Sequence, residues 1–428
     1  MQEQAKQRLV RLIVNLGSKV IIDPDPNSIK DLGIPISAFL AGGSSFFLTA
    51  DVIKERSLLF KQILQEKDWA SKFSEEYISK ALEPLIVKAA KRETNEKIAE
   101  YFDQLVTQLD SYSQERTVLL PIASILMEVD TLTIGKFILR HMTDAQVTEF
   151  ANSIEAALTE SEKILSQKEQ SIFIWNKFIF EHMRDRVYAE FSLIAEPQRA
   201  VERTELECQQ LFDLLLYSIA LVDADKYNFT IEFLREASYV AHHYTSITYT
   251  GSFEVDLISR NINSSSYFTI TSEVVERMRQ IGVFEVGEIL KKEIGRTKFE
   301  NVLIRSIHWF ANALTQIENG NKLLSLITSI EMFFSTRTTD RIANTVAEGT
   351  ALILGSNFEE RKQLKQKIKD FYDKRSRVSH EGQKEILNTE IDELRKIVGN
   401  FLVRMIQRKD EFKEQRDLEN WIELQKLS

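Results

Sequence analysis

The sequence predicts a mainly α-helical protein with a mixed α+β module in its middle and an antiparallel helical bundle at its C-terminal end. Three observations carry this expectation. Only 6 Pro and 14 Gly occur in 428 residues, well under the usual shares of about 5% and 7%, and turn-dense all-β architectures need more of both. Apolar residues recur at three- and four-residue spacing over long stretches at both ends of the chain, the signature of helices with one buried face. Short β-branched and aromatic runs bounded by turn residues are confined to the middle. With 43% hydrophobic and 28% charged residues, the composition is globular and excludes a wholly disordered chain.

Residues 1–112 read as a helical region. Leu9-Val10, Leu12-Ile13 and Leu16 share a helical face, and Asp23-Pro24-Asp25-Pro26-Asn27 then punctuates the chain as a loop. Ala41-Gly42-Gly43-Ser44-Ser45 is a second break, before a helix from Asp51 to Leu64 and a charge-laced amphipathic stretch from Lys72 to Leu109. Gly42-Gly43-Ser44 reads as a plain loop and not as a phosphate cradle, because no Gly-Lys-Ser/Thr follows it and no clear strand precedes it.

Residues 113–287 read as the mixed α+β module. Thr117–Ile122 and Thr133–Leu139 lie on either side of Val129-Asp130-Thr131 and form a plausible strand pair. Asp144 is placed to cap a helix whose Val147, Phe150, Ile154 and Leu158 share one face. Val187–Ile194 alternates like a strand, and a strong helix follows from Pro197 to Leu221. Tyr239–Ile270 is dense in Tyr, Thr, Ile, Val and Phe with Ser and Asn turns, and predicts two or three strands.

Residues 288–428 read as the bundle. Phe299–Ile317, Lys322–Phe334, Thr338–Leu354, Phe358–Val378 and Thr389–Trp421 are five helical segments. Asn319-Gly320-Asn321, Gly355-Ser356-Asn357 and Gly382 are the breaks, and connections this short favour antiparallel neighbours.

Charge is divided unevenly. The whole chain carries a formal −9, which taken alone speaks against a nucleic-acid binder. Residues 291–428 carry +4 and the remainder −13. The sharpest local feature is 361–377, where Arg361, Lys362, Lys365, Lys367, Lys369, Lys374, Arg375 and Arg377 face only Asp370 and Asp373. The single Cys208 excludes an intramolecular disulfide and a Cys-rich zinc site, and reads as a packed small side chain. With no secretory segment and no apolar run of 18 residues, the expectation is a cytoplasmic protein with no membrane partner.

Known chemical motifs are absent. His141, His182, His242, His243, His308 and His380 lie at no close metal-ligand spacing, so no metal is expected. No nucleophile elbow, P-loop or dinucleotide fingerprint occurs, and no cofactor is expected. His380 stands in Phe371-Tyr372-Asp373-Lys374-Arg375-Ser376-Arg377-Val378-Ser379-His380-Glu381-Gly382, five residues after Arg375. Five residues of unbroken helix separate two side chains by about 140° around the axis. The pair therefore converges only if the helix unwinds near Ser379, for which Gly382 is the expected breaker.

The longer pattern resembles the HEPN superfamily of helical bundles that bind nucleotides and RNA, and within it the Apea-like group. The residues that carry the resemblance run from about Val302 to Ile406. They are Ile304–Phe310, the Leu-rich helix Leu323–Ile330 ending in Glu331, Arg341–Gly355, and Tyr372-Asp373-x-Arg375-Ser376-x-Val378-x-His380. The sequence departs from the family at Ser376, where many catalytic members have Asn, and at Glu381, which interrupts the usual His-Gly. Gly382 stands where a toxin subset has a Tyr modified by its antitoxin.

The resemblance implies an endoribonuclease that needs no metal, with Arg375 and His380 lining a cleft between two protomers. Such a protein acts as a defence or toxin-like effector. His380 suits the proton transfers of 2′-hydroxyl attack, and Arg375 the charge that builds on the phosphoryl oxygens. The products would carry 2′,3′-cyclic phosphate, and DNA would resist. Glu331 is expected to orient Arg375 or His380 from a facing helix. Lys369, Tyr372, Lys374, Ser376 and Arg377 are the expected RNA contacts through phosphate bonds and stacking. RNA and a second copy of the chain are thus the expected partners, with residues 1–287 sensing a trigger or restraining the bundle. On that view, deleting 1–287 should raise cleavage. The competing expectation is a bundle that binds RNA or nucleotide, or dimerises, without cutting.

Overall fold

The structure is a computed structural model. It describes residues 3–23, 37–41, 44–160, 183–223, 229, 231, 244–249, 256–260, 267–292, 294–334, 342–381 and 386–427. Pro24–Asn27, Gly42-Gly43, His182, His242, His243, Arg341 and Gly382 lie outside the described residues. Helix dominates and strands are confined to a small share of the chain, mostly in its middle. The chain divides into two units: Met1–Val118 with Ser192–Arg203 and Thr248–Asp256, and Leu119–Phe191 with Thr204–Ile247 and Leu257–Ser428.

The first unit is built on α1 (Glu3–Ser18), α2 (Ala50–Gln65), α3 (Glu75–Ala90) and α4 (Asn95–Tyr112). Leu9, Ile13 and Leu16 of α1 meet Leu59 and Ile63 of α2, Ile78, Leu82 and Ile86 of α3, and Phe102 and Leu109 of α4 in one core. Phe73, Tyr77 and Tyr112 stack in a row with centroids 5.4 and 5.2 Å apart. The all-helical expectation for 1–112 is corrected by a three-stranded sheet. Strands β1 (Ile21–Ile22), β2 (Ser37–Ala41) and β3 (Ser44–Leu48) are ordered β1-β3-β2. Ala41 pairs with Ser44 in the antiparallel β2–β3 pair, so a strand does precede the Gly42-Gly43 break. The Gly-Gly pair is a turn signal whose flanking strands are too short to show a period in the sequence.

A buried carboxylate ties this unit together. Glu196, 2% exposed, sits between β8 (Val187–Ala195) and α6 (Pro197–Val222). It accepts the backbone N–H groups of Ser74 (3.0 Å), Gln198 (2.9 Å) and Arg199 (2.9 Å). One side chain thereby satisfies the first turn of α6 and holds Ser74, the N-cap of α3. Glu196→Ala leaves three donors without their acceptor and is expected to destabilise by about 2–4 kcal/mol. Urea unfolding of the full chain checks this; a loss below about 0.5 kcal/mol, the scale of an ordinary surface change, would assign the hold elsewhere.

In the second unit, β6 (Thr131–Ile134) and β7 (Phe137–His141) form an antiparallel hairpin closed by Gly135-Lys136, with Ile134 opposite Phe137. This corrects the expected strand pair. Thr133–Leu139 is the two arms of one hairpin and not one strand, while Thr117–Ile122 belongs to β4 (Gln114–Ile122). The single Gly135 at positive φ supplies the turn. With β9 (Tyr244–Tyr249) and β10 (Asp256–Arg260), these strands give a sheet ordered β10-β9-β4-β8-β7-β6. The short β5 (Ile125–Met127) pairs in parallel with β11 (Phe268–Ile270). Among the described residues, the stretch Tyr239–Ile270 thus holds three strands. Helix α5 (Asp144–Glu160) is capped by Thr143 and not by Asp144. Thr143 Oγ1 accepts the Gln146 N–H (3.5 Å) and Gln146 Oε1 accepts that of Thr143 (3.1 Å), while Asp144 pairs with Arg184 at 2.6 Å.

The remaining helices are α7 (Ser272–Gln280), α8 (Val283–Lys291), α9 (Lys298–Thr315), α10 (Asn319–Glu331), α11 (Ile342–Leu354), α12 (Phe358–Glu381), α13 (Asn388–Gln407) and α14 (Gln415–Leu427). Thr389–Trp421 is therefore two helices, and Asn319–Asn321 opens α10 instead of separating it from α9. Helix α8 runs through Gly287, and α6 packs on the helices that follow. Tyr217 meets Phe310 edge to face at 5.7 Å, and Leu221 fills the space a Cβ at Gly399 would occupy. A chain starting at 288 would lose these contacts, so the deletion expected to raise cleavage would also open the core. Helices α9 and α10 are clamped by two fully buried serines. Ser306 Oγ donates to the Ser329 carbonyl (2.7 Å) and Ser329 Oγ to the Ser306 carbonyl (2.8 Å). Phe299, Phe333, Phe334, Phe401 and Phe412 fill the space beneath them.

Candidate functional site

The chemistry expected at the end of the chain falls on α12. Its buried face carries Ile368, Phe371 and Tyr372, with Arg375 one turn further on. Helix α10 lies antiparallel to it: a Cβ at Gly320, near the start of α10, would meet Val378 Cγ1 at 3.2 Å. Side chains lean toward the N-terminus of their own helix, so residues on antiparallel neighbours reach toward each other. Arg375 Nη2 meets Glu331 Oε2 at 3.3 Å in this way. The expected partnership of Glu331 with Arg375 is therefore present in the geometry.

The pair is unequal. The Arg375 side chain is 35% exposed and that of Glu331 14%. Tyr372 is 6% exposed, and the Arg375 guanidinium lies 5.9 Å from its ring centroid. Burial, then the neighbouring Glu331 charge and a hydrogen bond to that carboxylate, push the Tyr372 hydroxyl far above the usual phenol range, so it stays a donor. Arg375 Nε is buried and completes no hydrogen bond among the described residues. Tyr372 was expected to offer its ring for base stacking. The structure corrects this: the ring is part of the core, because Tyr372 falls one turn after Ile368 on the buried face.

The basic run is largely committed to other helices. Lys374 pairs with Glu390, Lys367 with Glu393, and Lys365 with Glu348 at 2.5 Å. Arg361 Nε donates to the Gly355 carbonyl at 3.0 Å, closing the end of α11. Lys374, expected on phosphate, thus takes part in an ion pair between α12 and α13. Lys369 is half-buried, while Ser376 and Arg377 are exposed. Periodicity shows which α12 residues share a face, but it holds no information on the carboxylates that neighbouring helices bring.

Glu348 gives one of these pairs a pH signature. Burial raises its carboxyl, but hydrogen bonds from Lys365, Lys426 and Asn344 outweigh this and hold it at about 2, against an ordinary 4.5. A carboxyl lowered by folding stabilises fully above its unfolded pKa and loses that contribution as pH falls from 4.5 toward 2. Glu348 is a quarter exposed, so solvent screening limits the effect to about 1 kcal/mol at pH 7. Glu348→Gln should lower stability at pH 7 and match the parent near pH 2. Thermal melts across that range check it, and an equal deficit at both ends would contradict it.

His380 is placed by its helix, which continues to Glu381. The expected unwinding at Ser379 does not occur, since i→i−4 bonding runs to the end of α12. Arg375 and His380 are therefore about 140° apart around one axis. The His380 position follows Ser376 by four residues and Arg377 by three along α12.

A second imidazole site was not expected. His308 of α9 shares 2.9 Å between Nδ1 and Oδ2 of Asp213, which lies on α6 and is nearly buried. The Asp213 hydrogen bond holds His308 above the usual imidazole range, against its partial burial. The two residues are 95 positions apart, and no local pattern links them. Elsewhere, a polar groove runs along α1, lined by Gln4, Gln7, Arg8, Arg11, Leu12 and Asn15, and holds none of the expected site residues. Among the described residues, no group of three His, Cys, Asp or Glu is placed to hold a metal, and no helix is long and apolar enough to cross a membrane. No family model, curated protein or solved structure matches the chain.

Proposed function

We propose that the chain is a metal-independent endoribonuclease of HEPN type, cutting RNA by 2′-hydroxyl attack with Arg375 and His380. The observation that carries this reading is the Arg375–Glu331 pair. A guanidinium on α12 is presented part-exposed by a carboxylate of the facing helix, beside the exposed Ser376 and Arg377. A guanidinium so held can stabilise charge developing on a phosphoryl group. His380, three and four residues beyond these polar side chains, supplies the proton transfers. Because five residues of helix separate it from Arg375 by about 140°, the proposal includes a second protomer. Two copies meeting at this end of α12 place two Arg375 and two His380 around one cleft, so convergence within one chain is not required. A defence or toxin-like role, with residues 1–287 sensing the trigger, belongs to the same proposal.

The alternative is a module that binds RNA or nucleotide, or dimerises, without cleavage. The unbroken end of α12 and the pairing of Lys367 and Lys374 with carboxylates favour it. Incubating purified protein with total RNA in EDTA, beside an Arg375→Ala/His380→Ala double variant, separates the two. Cleavage by the parent alone supports the nuclease; binding without cleavage supports the module.

A further inference from the structure

Glu331 stands where a carboxylate is disfavoured on two counts. It is the last residue of α10, and the final turn of a helix already carries partial negative charge from its unpaired carbonyls. Its side chain is also largely buried, which penalises a charged group. A carboxylate in such a place depends on the donors around it. Arg375 supplies one through a single contact of 3.3 Å, long beside the roughly 2.7–2.9 Å of a charge-assisted bond. A contact that long restrains neither partner well, since both side chains are long and rich in rotamers.

The second donor is Tyr372. Its hydroxyl bonds the Glu331 carboxylate, and it lies three residues before Arg375 on α12, so the two side chains are neighbours on the helix surface. The ring is packed in the core with Ile368 and Phe371, which fixes where the hydroxyl stands. A phenylalanine would fill the same core space, and a hydroxyl buried there is unfavourable unless it is bonded. Its bond goes to the carboxylate that holds the arginine. The guanidinium lies over the same ring, 5.9 Å from its centroid, near the limit of about 6 Å for cation–π attraction. Tyr372 thus touches both members of the ion pair. Order passes outward from a core ring, through a nearly buried carboxylate, to a part-exposed guanidinium.

We propose that Tyr372 is a positioning residue of the ribonuclease site. Anchored in the core, it fixes Glu331 by its hydroxyl, and through Glu331 the direction in which Arg375 presents its guanidinium to an RNA phosphate. This deepens the ribonuclease reading and rests on it for the identity of the ligand. Tyr372 itself touches no substrate; its role is exerted from inside the fold. Burial keeps the proton on the hydroxyl, so the donor persists throughout the pH range in which an imidazole titrates. Loss of the hydroxyl should therefore lower the cleavage rate without moving its pH profile.

The test is a double-variant cycle of Tyr372→Phe and Arg375→Ala in the full-length chain. Two quantities are read: the single-turnover cleavage rate at saturating oligoribonucleotide, and the affinity for its uncleavable 2′-O-methyl form by fluorescence anisotropy. Tyr372→Phe should lower the rate about tenfold, because a slightly misplaced charge-stabilising donor loses much of its effect. It should weaken binding by about two- to fivefold, less than the worth of one hydrogen bond to a charged group. In the Arg375→Ala background it should change neither quantity, since no guanidinium is left to position. Circular dichroism melts show whether each variant is folded. Should Tyr372→Phe fail to fold, Glu331→Gln takes its place and must show the same dependence on Arg375. An unchanged rate, an equal loss with and without Arg375, or a shifted pH profile overturns the positioning role and leaves the nuclease standing. A chain that binds the oligonucleotide without cutting loses the nuclease, and keeps the positioning role if Tyr372→Phe weakens binding only when Arg375 is present. A chain that neither binds nor cuts loses both.

Discussion

On the proposed nuclease reading, Arg375→Ala should lower the rate of RNA cleavage by about 10²–10³-fold while the chain stays folded, the scale on which removing one charge-stabilising donor acts in other enzymes. The expectation follows from where the side chain lies. Arg375 is one-third exposed and makes one long ion pair, so little of the bundle's packing depends on it. Removing it leaves Glu331 largely buried without its counter-ion, a loss of about 1–3 kcal/mol, which a domain of ordinary stability survives. Arg375→Lys is the informative companion. It keeps the charge and loses the planar fork, so it should recover only part of the rate. Single-turnover cleavage beside thermal melts reads both quantities. Full activity in a folded Arg375→Ala variant would remove this residue from the chemistry.

The second large effect is structural and concerns Gly135→Ala. Gly135 turns the β6–β7 hairpin at φ +62°, and a Cβ there would stand 2.2 Å from the Gly287 carbonyl oxygen of α8. Both partners are backbone, so neither can swing aside. The strained φ contributes about 1 kcal/mol and the overlap about 1–3 kcal/mol more, for a total near 2–4 kcal/mol. Gly295→Ala is the control. Its φ is +87°, but nothing lies within 4 Å of the added carbon, so it should show only the backbone part, about 1 kcal/mol. Urea midpoints of the two variants check the difference. Equal losses would mean that the hairpin and α8 do not touch as described.

Much of the helical architecture was legible because one-sided burial leaves a period. Leu323, Ile327 and Ile330 announce α10, and Pro197–Leu221 announces α6 almost to its ends. The sheet residues were harder. Ser37–Ala41 and Ser44–Leu48 are five residues each, too short for alternation to stand out. The Gly135-Gly287 approach joins positions 152 apart and leaves no trace but two glycines. The site divided in the same way. Arg375 and Glu331 do meet, a long-range fact the sequence supplied only through a resemblance. Tyr372, expected at the surface, is buried, and Lys374, expected on phosphate, is held by Glu390. Each of these outcomes depends on which helix packs alongside α12, and an α12 sequence read by itself cannot name its neighbour. Asp213 and His308 meet for the same reason, on helices whose sequences show no relation.

The central claim is a particular chemistry, 2′-hydroxyl attack on the adjacent phosphate without a metal. The most direct measurement is the end-group left on a defined oligoribonucleotide incubated with the full-length chain in EDTA, read by mass spectrometry beside the Arg375→Ala/His380→Ala variant and an all-deoxy substrate. A 2′,3′-cyclic phosphate with the parent, an intact oligonucleotide with the double variant and an intact all-deoxy strand are the predicted result. A 3′-hydroxyl product, cleavage of the deoxy strand, or an intact ribo-oligonucleotide with the folded parent chain would contradict it.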